Sequence, residues 1–400
     1  MGLPSIILFG SFNVVSFAID FVAFYALYLA ISLSLNLEFG YAGIPNFGKV
    51  LFIAAGAAFG GSISGRLAAW FLNVPVHGDF IVNNPRIMLA VNTALPSQPL
   101  FVVVMFLISV AIGAGVGGLF GYLASFPAIR LREDYLGMLL LAVAQFFQVI
   151  MLAYTPLTGG DQNIAVPNPY IYFTNLGTGY ATLAAAMVIS IFAVLVYIYA
   201  ERVGRSPLGR TLKAVRESED AARALGKDDA AFRRNILIVA SAIAGMIGAI
   251  FAFQVASVGY STWTRFNWTF WPFLIVIIGG AGNNVGIAVG TFLFTLVLKG
   301  LTQLQPYIQP YLPFDVNWLT YLLFAAMLIG ILMLRPEGLV KEKSSPTLPK
   351  RKLMSIVGSA NSDSGGSGSP PAAAPAQAAS RTSKLAEFLR LRVRQVSGQA

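Results

Sequence analysis

Residues 202–234 read RVGRSPLGRTLKAVRESEDAARALGKDDAAFRR, a charged stretch set between two apolar runs, 181–201 and 235–258. Nine basic side chains fall in it: Arg202, Arg205, Arg210, Lys213, Arg216, Arg223, Lys227, Arg233 and Arg234. Each flanking run is about the 20 residues that a helix needs to cross a bilayer, where every backbone N–H and C=O must be satisfied within its own segment. Basic loops of this kind stay on the cytoplasmic side. The stretch therefore reads as a cytoplasmic loop between two membrane spans.

Working outward, further apolar spans lie at 20–37, 50–72, 99–125, 135–155, 268–281, 285–303 and 318–334, which makes nine. Residues 3–19 are apolar but interrupted by Ser11 and Asn13, and form either a tenth span or a surface segment. A single helix over 3–37 would place Asp20 at mid-bilayer, at about 2.5–3.5 kcal/mol on the insertion scale, so a break at Asp20 is expected. The tail after 334 carries Arg335, Lys341, Lys343, Lys350, Arg351 and Lys352 and is separated from 202–234 by four spans. An even number puts both on the cytoplasmic side, with 73–98 and 156–180 outside. Trp70, Trp263, Trp268, Trp271 and Trp318 all fall near the outer ends of spans in this arrangement, the depth at which indoles anchor to headgroups.

The composition agrees. The 400 residues are 56% hydrophobic and only 11% charged, with a mean hydropathy of +0.70, where soluble domains carry about 25% charged residues. The fold class is all-α, a polytopic transmembrane helical bundle. The net charge of +10 sits in the loop and the tail rather than over a folded surface, so it does not indicate nucleic acid. With no cysteine and a single histidine, His77, disulfides and thiolate chemistry are excluded and a metal site is not expected. No Ser/His/Asp set, carboxylate pair or metal cluster falls within the spans, so an intramembrane enzyme is not expected either. An ion-coupled transporter or channel normally keeps ionisable groups inside its spans, and the apolar runs offer few. Asp20 and Glu38 lie at span ends and are expected to be interfacial anchors.

Glycines recur at four-residue spacing at Gly56 and Gly60, at Gly113, Gly117 and Gly121, and at Gly282, Gly286 and Gly290, rows that let helix backbones approach closely in lipid. Neither GAGVGGLFG (113–121) nor GGAGNN (279–284) is followed by the Lys-Ser/Thr of a phosphate-binding loop. Any nucleotide is expected on another chain.

Within the basic loop, Ser206-Pro207 has the form of an N-cap and a first-turn proline. Ser218 is placed to cap a second helix of about eight residues. Glu219 and Asp220 stand at its positive end, Glu219 and Arg223 at i,i+4, and Gly226 at a left-handed stop. Ala221, Ala222 and Ala224 are small enough to nest in a partner's groove. A solvated loop helix with no partner remains open on local physics alone.

Asp220-Ala221-Ala222 followed by Gly226 resembles the cytoplasmic coupling motif of ABC importer permeases, Glu-Ala-Ala-x-x-x-Gly, with Asp in place of Glu. Six further segments resemble the branched-chain amino-acid permease family: NLEFGYAGIPNFG (36–48), YLGMLLLAVAQ (135–145), LTGGDQN (157–163), GRTLKAVRESEDAARALG (209–226), IIGGAGNNVG (277–286) and LRPEGLV (334–340). Lys49 departs from the histidine usual there, and Gln162-Asn163 from a common glycine. The resemblance implies a membrane subunit of an ATP-driven importer that pairs with a sister permease and two cytoplasmic ABC ATPases carrying ATP and Mg, and that receives solute from an extracytoplasmic binding protein. This chain would itself bind no cofactor. Branched-chain amino acids are the implied solute, with urea or another small solute as the alternative and a self-sufficient channel or secondary transporter behind it.

On that resemblance, Glu219, Asp220, Ala221, Ala222 and Gly226 are the expected ATPase-coupling residues. Asn36, Gly40, Tyr41, Gly43, Gly48, Gln145, Thr158, Gly159, Gly160, Asp161, Gly279, Gly280 and Gly282 are candidates for the pathway or its packing. The expected organisation is a permease domain over 1–340, with the coupling loop at 202–234, and a cytoplasmic tail over 341–400. In that tail 355–380 is a Gly/Ser/Pro/Ala linker and 381–396 a possible basic amphipathic helix. The whole is expected in the cytoplasmic membrane with its C-terminus inside.

Overall fold

A computed structural model of the chain describes residues 14–342 apart from 77, 132 and 312–314. His77, residues 3–13 and the tail segments 355–380 and 381–396 lie outside the described residues. In chain order the helices are α1 (Val14–Leu35), α2 (Lys49–Phe71), α3 (Asn84–Ala94), α4 (Pro99–Arg130), α5 (Glu133–Ala153), α6 (Thr155–Thr158) and α7 (Ile171–Thr174). They continue with α8 (Thr178–Arg205), α9 (Pro207–Glu217), α10 (Glu219–Ala224), α11 (Asp229–Val255), α12 (Trp271–Gly279), α13 (Asn284–Ile308) and α14 (Val316–Leu334). A two-residue ladder pairs β1 (Ile164–Ala165) with β2 (Ser257–Val258), antiparallel.

Each of the nine expected spans coincides with an apolar helix. Seven helices among the described residues are long and apolar enough to cross a membrane, and Phe266–Gly279 and Trp318–Leu334 are shorter. The break expected at Asp20 is absent, because α1 runs continuously through it from Val14. Asp20 is exposed on α1 and lines a cavity near the end of the bundle.

The core is α2, α4 and α11. α11 packs most extensively on α4 and then on α2, and the contact is made at backbone distance. A Cβ on Gly113 would lie 2.7 Å from the Ala249 Cβ, and one on Gly117 would strike the Ser241 carbonyl. Gly56 faces Gly245 in the same way, so the glycine rows on α2 and α4 do close a helix seam. On α13 the row is Gly286 and Gly290 against Gly279; Gly282 lies in the turn before the helix, at φ 79°.

Not every tryptophan is an anchor. Trp70 and Trp318 are exposed, whereas Trp263 and Trp268 are only 1% and 4% exposed and pack on each other with ring centroids 4.8 Å apart. Trp268 donates its indole N–H to the Thr262 carbonyl at 2.8 Å. These two indoles are core residues and say nothing about membrane depth.

Candidate functional site

The charged loop forms two short helices, and local chemistry sets their ends. The Ser206 hydroxyl accepts from the Gly209 N–H at 3.3 Å to open α9, with Pro207 in its first turn. The Ser218 hydroxyl accepts from the Ala221 N–H at 3.3 Å to open α10. Gly226 adopts φ 74°, the left-handed conformation that stops the helix. α10 spans six residues rather than eight, because Leu225 has already left helical geometry at φ −88°, ψ 12°.

Ion pairs hold α10 to the start of α11. Arg223 donates to both carboxylate oxygens of Asp229, at 2.8 and 2.7 Å, and lies 3.6 Å from Glu219. Glu219 also accepts from Arg233. The Asp229 carboxylate holds the Arg223 guanidinium even more firmly protonated than usual. Ala222 is buried at 3% exposure, so of the expected coupling residues it is the one that faces inward. Asp220, Ala221 and Gly226 are exposed, as is Ala224, and Leu225 projects at 80% exposure. A Cβ added at Gly226 would meet nothing within 4 Å. The outward tip is thus small, partly apolar and uncovered.

Behind this tip is a hub that joins segments far apart in the sequence. α1 ends in one turn of wider π-helix, Asn36–Tyr41, a distortion that frequently marks functional positions. Asn36 is fully buried; its Oδ1 accepts from the Gly282 N–H at 2.9 Å and its Nδ2 donates to Asn284 Oδ1 at 3.0 Å. Asn284 Nδ2 donates in turn to Glu201 Oε2 at 3.0 Å, at the end of α8. The α9 face supplies Arg216, which donates to the Gly40 carbonyl and, at 2.8 Å, to Glu342. Lys213 reaches Glu342 at 2.7 Å and sits 5.1 Å from the centre of the Tyr41 ring. Residues 339 and 340 lie along the end of α12, with Leu339 N–H to Ile278 carbonyl at 2.8 Å and Val340 N–H to Gly279 carbonyl at 3.2 Å.

Close approach at Gly40, and positive φ angles of 72° and 79° at Gly43 and Gly282, make glycine the fitting residue at three positions here. A Cβ on Gly40 would come 2.6 Å from the Gly282 nitrogen, one on Gly43 2.8 Å from Arg216 Cγ, and one on Gly282 2.7 Å from the Glu342 carboxyl carbon. The hub therefore gathers Asn36, Gly40, Tyr41, Gly43, Gly279, Gly280 and Gly282 of the expected candidates. The others lie elsewhere. Gly48 packs on the Leu140 carbonyl of α5, and Gln145 is half-buried along α5. Thr158, Gly159, Gly160 and Asp161 follow the far end of α5, where Thr158 donates to the Met151 carbonyl at 2.6 Å and Asp161 is exposed.

Glu38 is not an interfacial anchor. It is fully buried, 3.0 Å from the Nζ of fully buried Lys49, and accepts from Asn46 Nδ2 at 3.0 Å. Lys49 also donates to the Ala240 carbonyl at 3.3 Å, which accepts from Ser34 Oγ at 2.8 Å as well. The π turn rotates Glu38 inward, an effect that span counting does not register, so the spans do hold a buried ion pair. Sequence reasoning also passed over Glu201, Lys213, Arg216, Asn284 and Glu342 as site residues. The one available signal was the i,i+3 spacing of Lys213 and Arg216, with Glu342 an isolated acid among tail lysines.

A glycine-seamed bundle of apolar helices, seven of them long and apolar enough to cross a bilayer among the described residues, with a charged hairpin between two of them, defines a polytopic helical membrane protein. Residues 17–332 match the family model of the branched-chain amino acid transport system permease component, and the chain belongs to that family. It is 35% identical over 338 residues to a probable branched-chain amino acid transport permease protein LivM of Methanocaldococcus jannaschii, covering 84% of this chain and 96% of that protein. It is also 27% identical to the high-affinity branched-chain amino acid transport system permease protein LivM of Salmonella typhimurium, over 59% of this chain and 56% of that one. The Escherichia coli protein of the same name is 26% identical, over 58% and 56% of the two chains. No solved structure matches.

Proposed function

We propose that the chain is the permease subunit of an ATP-binding-cassette importer for branched-chain amino acids, in the cytoplasmic membrane with the charged loop and C-terminus inside. A sister permease, two ATPases holding ATP and Mg, and an extracytoplasmic binding protein complete it. The observation that carries this reading is the uncovered tip of α10 joined, through α9, to the hub. An ATPase bound at Leu225 and Gly226 displaces the hairpin, and Arg216 and Lys213 pass the displacement to Gly40 at the end of α1 and to the segment lying on α12. Helix ends tied this way move together, which shifts the bundle between discrete inward and outward arrangements. The glycine seams permit backbone sliding without side-chain interlock.

The family and the relatives' names support the solute; the exposed Asp220, Ala221, Leu225 and Gly226 support the ATPase contact. The test is purification of the full chain from its native membrane, mass spectrometry of what accompanies it, and leucine uptake by the reconstituted assembly. ATP-dependent uptake with two ATPases present is expected. Leucine accumulation against a gradient by vesicles holding this chain alone would overturn the reading.

A further inference from the structure

A cavity of about 270 Å³ opens at the end of the bundle opposite the charged hairpin, between α1, α8, α11 and the segment before α7. It is slightly smaller than the roughly 300–1,000 Å³ of pockets for drug-sized ligands, the size for a small metabolite. Three residues that carry acceptors line it. Asp20 lines it and, with no ion pair or hydrogen bond among the described residues, lies within electrostatic reach of the Lys299 ammonium. The Gln254 Oε1 and the Tyr170 hydroxyl are both shielded from solvent without a hydrogen-bond partner, Tyr170 being only 7% exposed. Phe24 and Phe251 give apolar walls, and Ala23 and Ala185 leave space between them. Asn168 uses its Oδ1 to accept from the Tyr170 N–H at 2.9 Å, which turns its amide nitrogen to the role of donor.

We propose that this cavity binds the α-ammonium and apolar side chain of an amino acid, with Asp20, Gln254 and Tyr170 as the ammonium's acceptors. An ammonium has three donors and no acceptor, which matches three acceptors, one of them anionic. A buried hydroxyl and amide oxygen without partners are costly, and a donor arriving with the ligand relieves that cost. Phe24 already attracts such a group: the Lys299 ammonium, which does not line the cavity, lies 3.3 Å from the centre of its ring. Asn168 supplies an N–H for the ligand carboxylate. The inference rests on the reading of the chain as an amino-acid permease, and adds a solute site within the membrane subunit itself.

The same chemistry occurs in an ethanolamine lipid headgroup, so the test separates the two. The full chain with its co-purifying subunits is placed in phosphatidylcholine nanodiscs and bound to radiolabelled L-leucine. Saturable binding is expected, weakened about 10- to 100-fold by Asp20→Asn, the range for losing a hydrogen bond to a charged group. Gln254→Leu should weaken it in the same direction, with both variants retaining the parent's elution profile and melting curve. 4-Methylpentanoate, leucine without its ammonium, should not compete, and discs containing phosphatidylethanolamine should bind leucine equally well. Parental binding by both variants, competition by 4-methylpentanoate, or loss of leucine binding to the ethanolamine lipid would each overturn the site. Unimpaired uptake by an Asp20→Asn transporter would refute the cavity alone, whereas absence of leucine uptake by the parent would refute the permease reading beneath it.

Discussion

Removing one member of the Glu38–Lys49 pair should be far more damaging than removing both. Both side chains are 0% exposed, 3.0 Å apart, and the pair is completed by Asn46 and the Ala240 carbonyl. Breaking a buried pair from one side leaves an uncompensated charge and costs about 3–5 kcal/mol, whereas exchanging both partners for neutral groups of similar volume is often close to neutral. Lys49→Met should therefore lower the melting temperature by about 6–20 °C, taking roughly 2–4 °C per kcal/mol for a large domain. Glu38→Gln should do less, because its amide still accepts from the lysine. The double variant Glu38→Gln with Lys49→Met should recover most of the loss. The assay is fluorescence-monitored unfolding of the purified chain in detergent, with each single and the double compared at equal concentration. A double variant as unstable as the sum of the singles would refute the pairing, since independent sites add and coupled sites do not.

The other expectations concern the hub and the seam. Asn36→Leu leaves the Gly282 N–H and the Asn284 Oδ1 without the partner Asn36 gives them, at about 1–3 kcal/mol for each buried group, and should lower expression and melting temperature together; an unchanged melting curve would show that the asparagine is not structural. Gly117→Leu should cost at least the roughly 1–3 kcal/mol of overpacking and destroy α4–α11 packing, read as loss of a monodisperse elution peak. Glu342→Gln releases Lys213 and Arg216, which are about a quarter exposed or less. It should leave stability almost unchanged while reducing transport, a split visible by comparing melting with uptake. Truncation after residue 345 keeps Glu342 and should leave uptake intact.

Local features were legible in the sequence and long-range ones were not. The caps at Ser206 and Ser218 and the stop at Gly226 depend on residues within three or four positions, and they fold as read. Span positions follow from the length of apolar runs. The glycine rows fix which faces meet, though the sequence does not say that Gly56, Gly117 and Gly245 meet at one point. The hub joins Asn36 to Asn284 and Arg216 to Glu342, pairs separated by 248 and 126 positions. Nothing local to Asn36 or Glu342 marks such partners. Glu38 misled for a related reason: at the end of an apolar run it looked interfacial, but the π turn and the return of the chain to Lys49 bury it. Trp263 and Trp268 were misplaced because a position near a span end fixes depth along the membrane normal, not whether the ring points toward lipid or the core.

The link between hairpin and bundle is tested most directly by solute-stimulated ATP hydrolysis in the reconstituted assembly. Leu225→Asp alters only the exposed tip, whereas Arg216→Ala spares the tip and cuts the tie to Gly40 and Glu342. Leu225→Asp should lose the ATPase subunits on purification; Arg216→Ala should keep them bound but hydrolyse ATP at the same rate with and without solute. Full stimulation in both variants would show that mechanical work enters the bundle by another route.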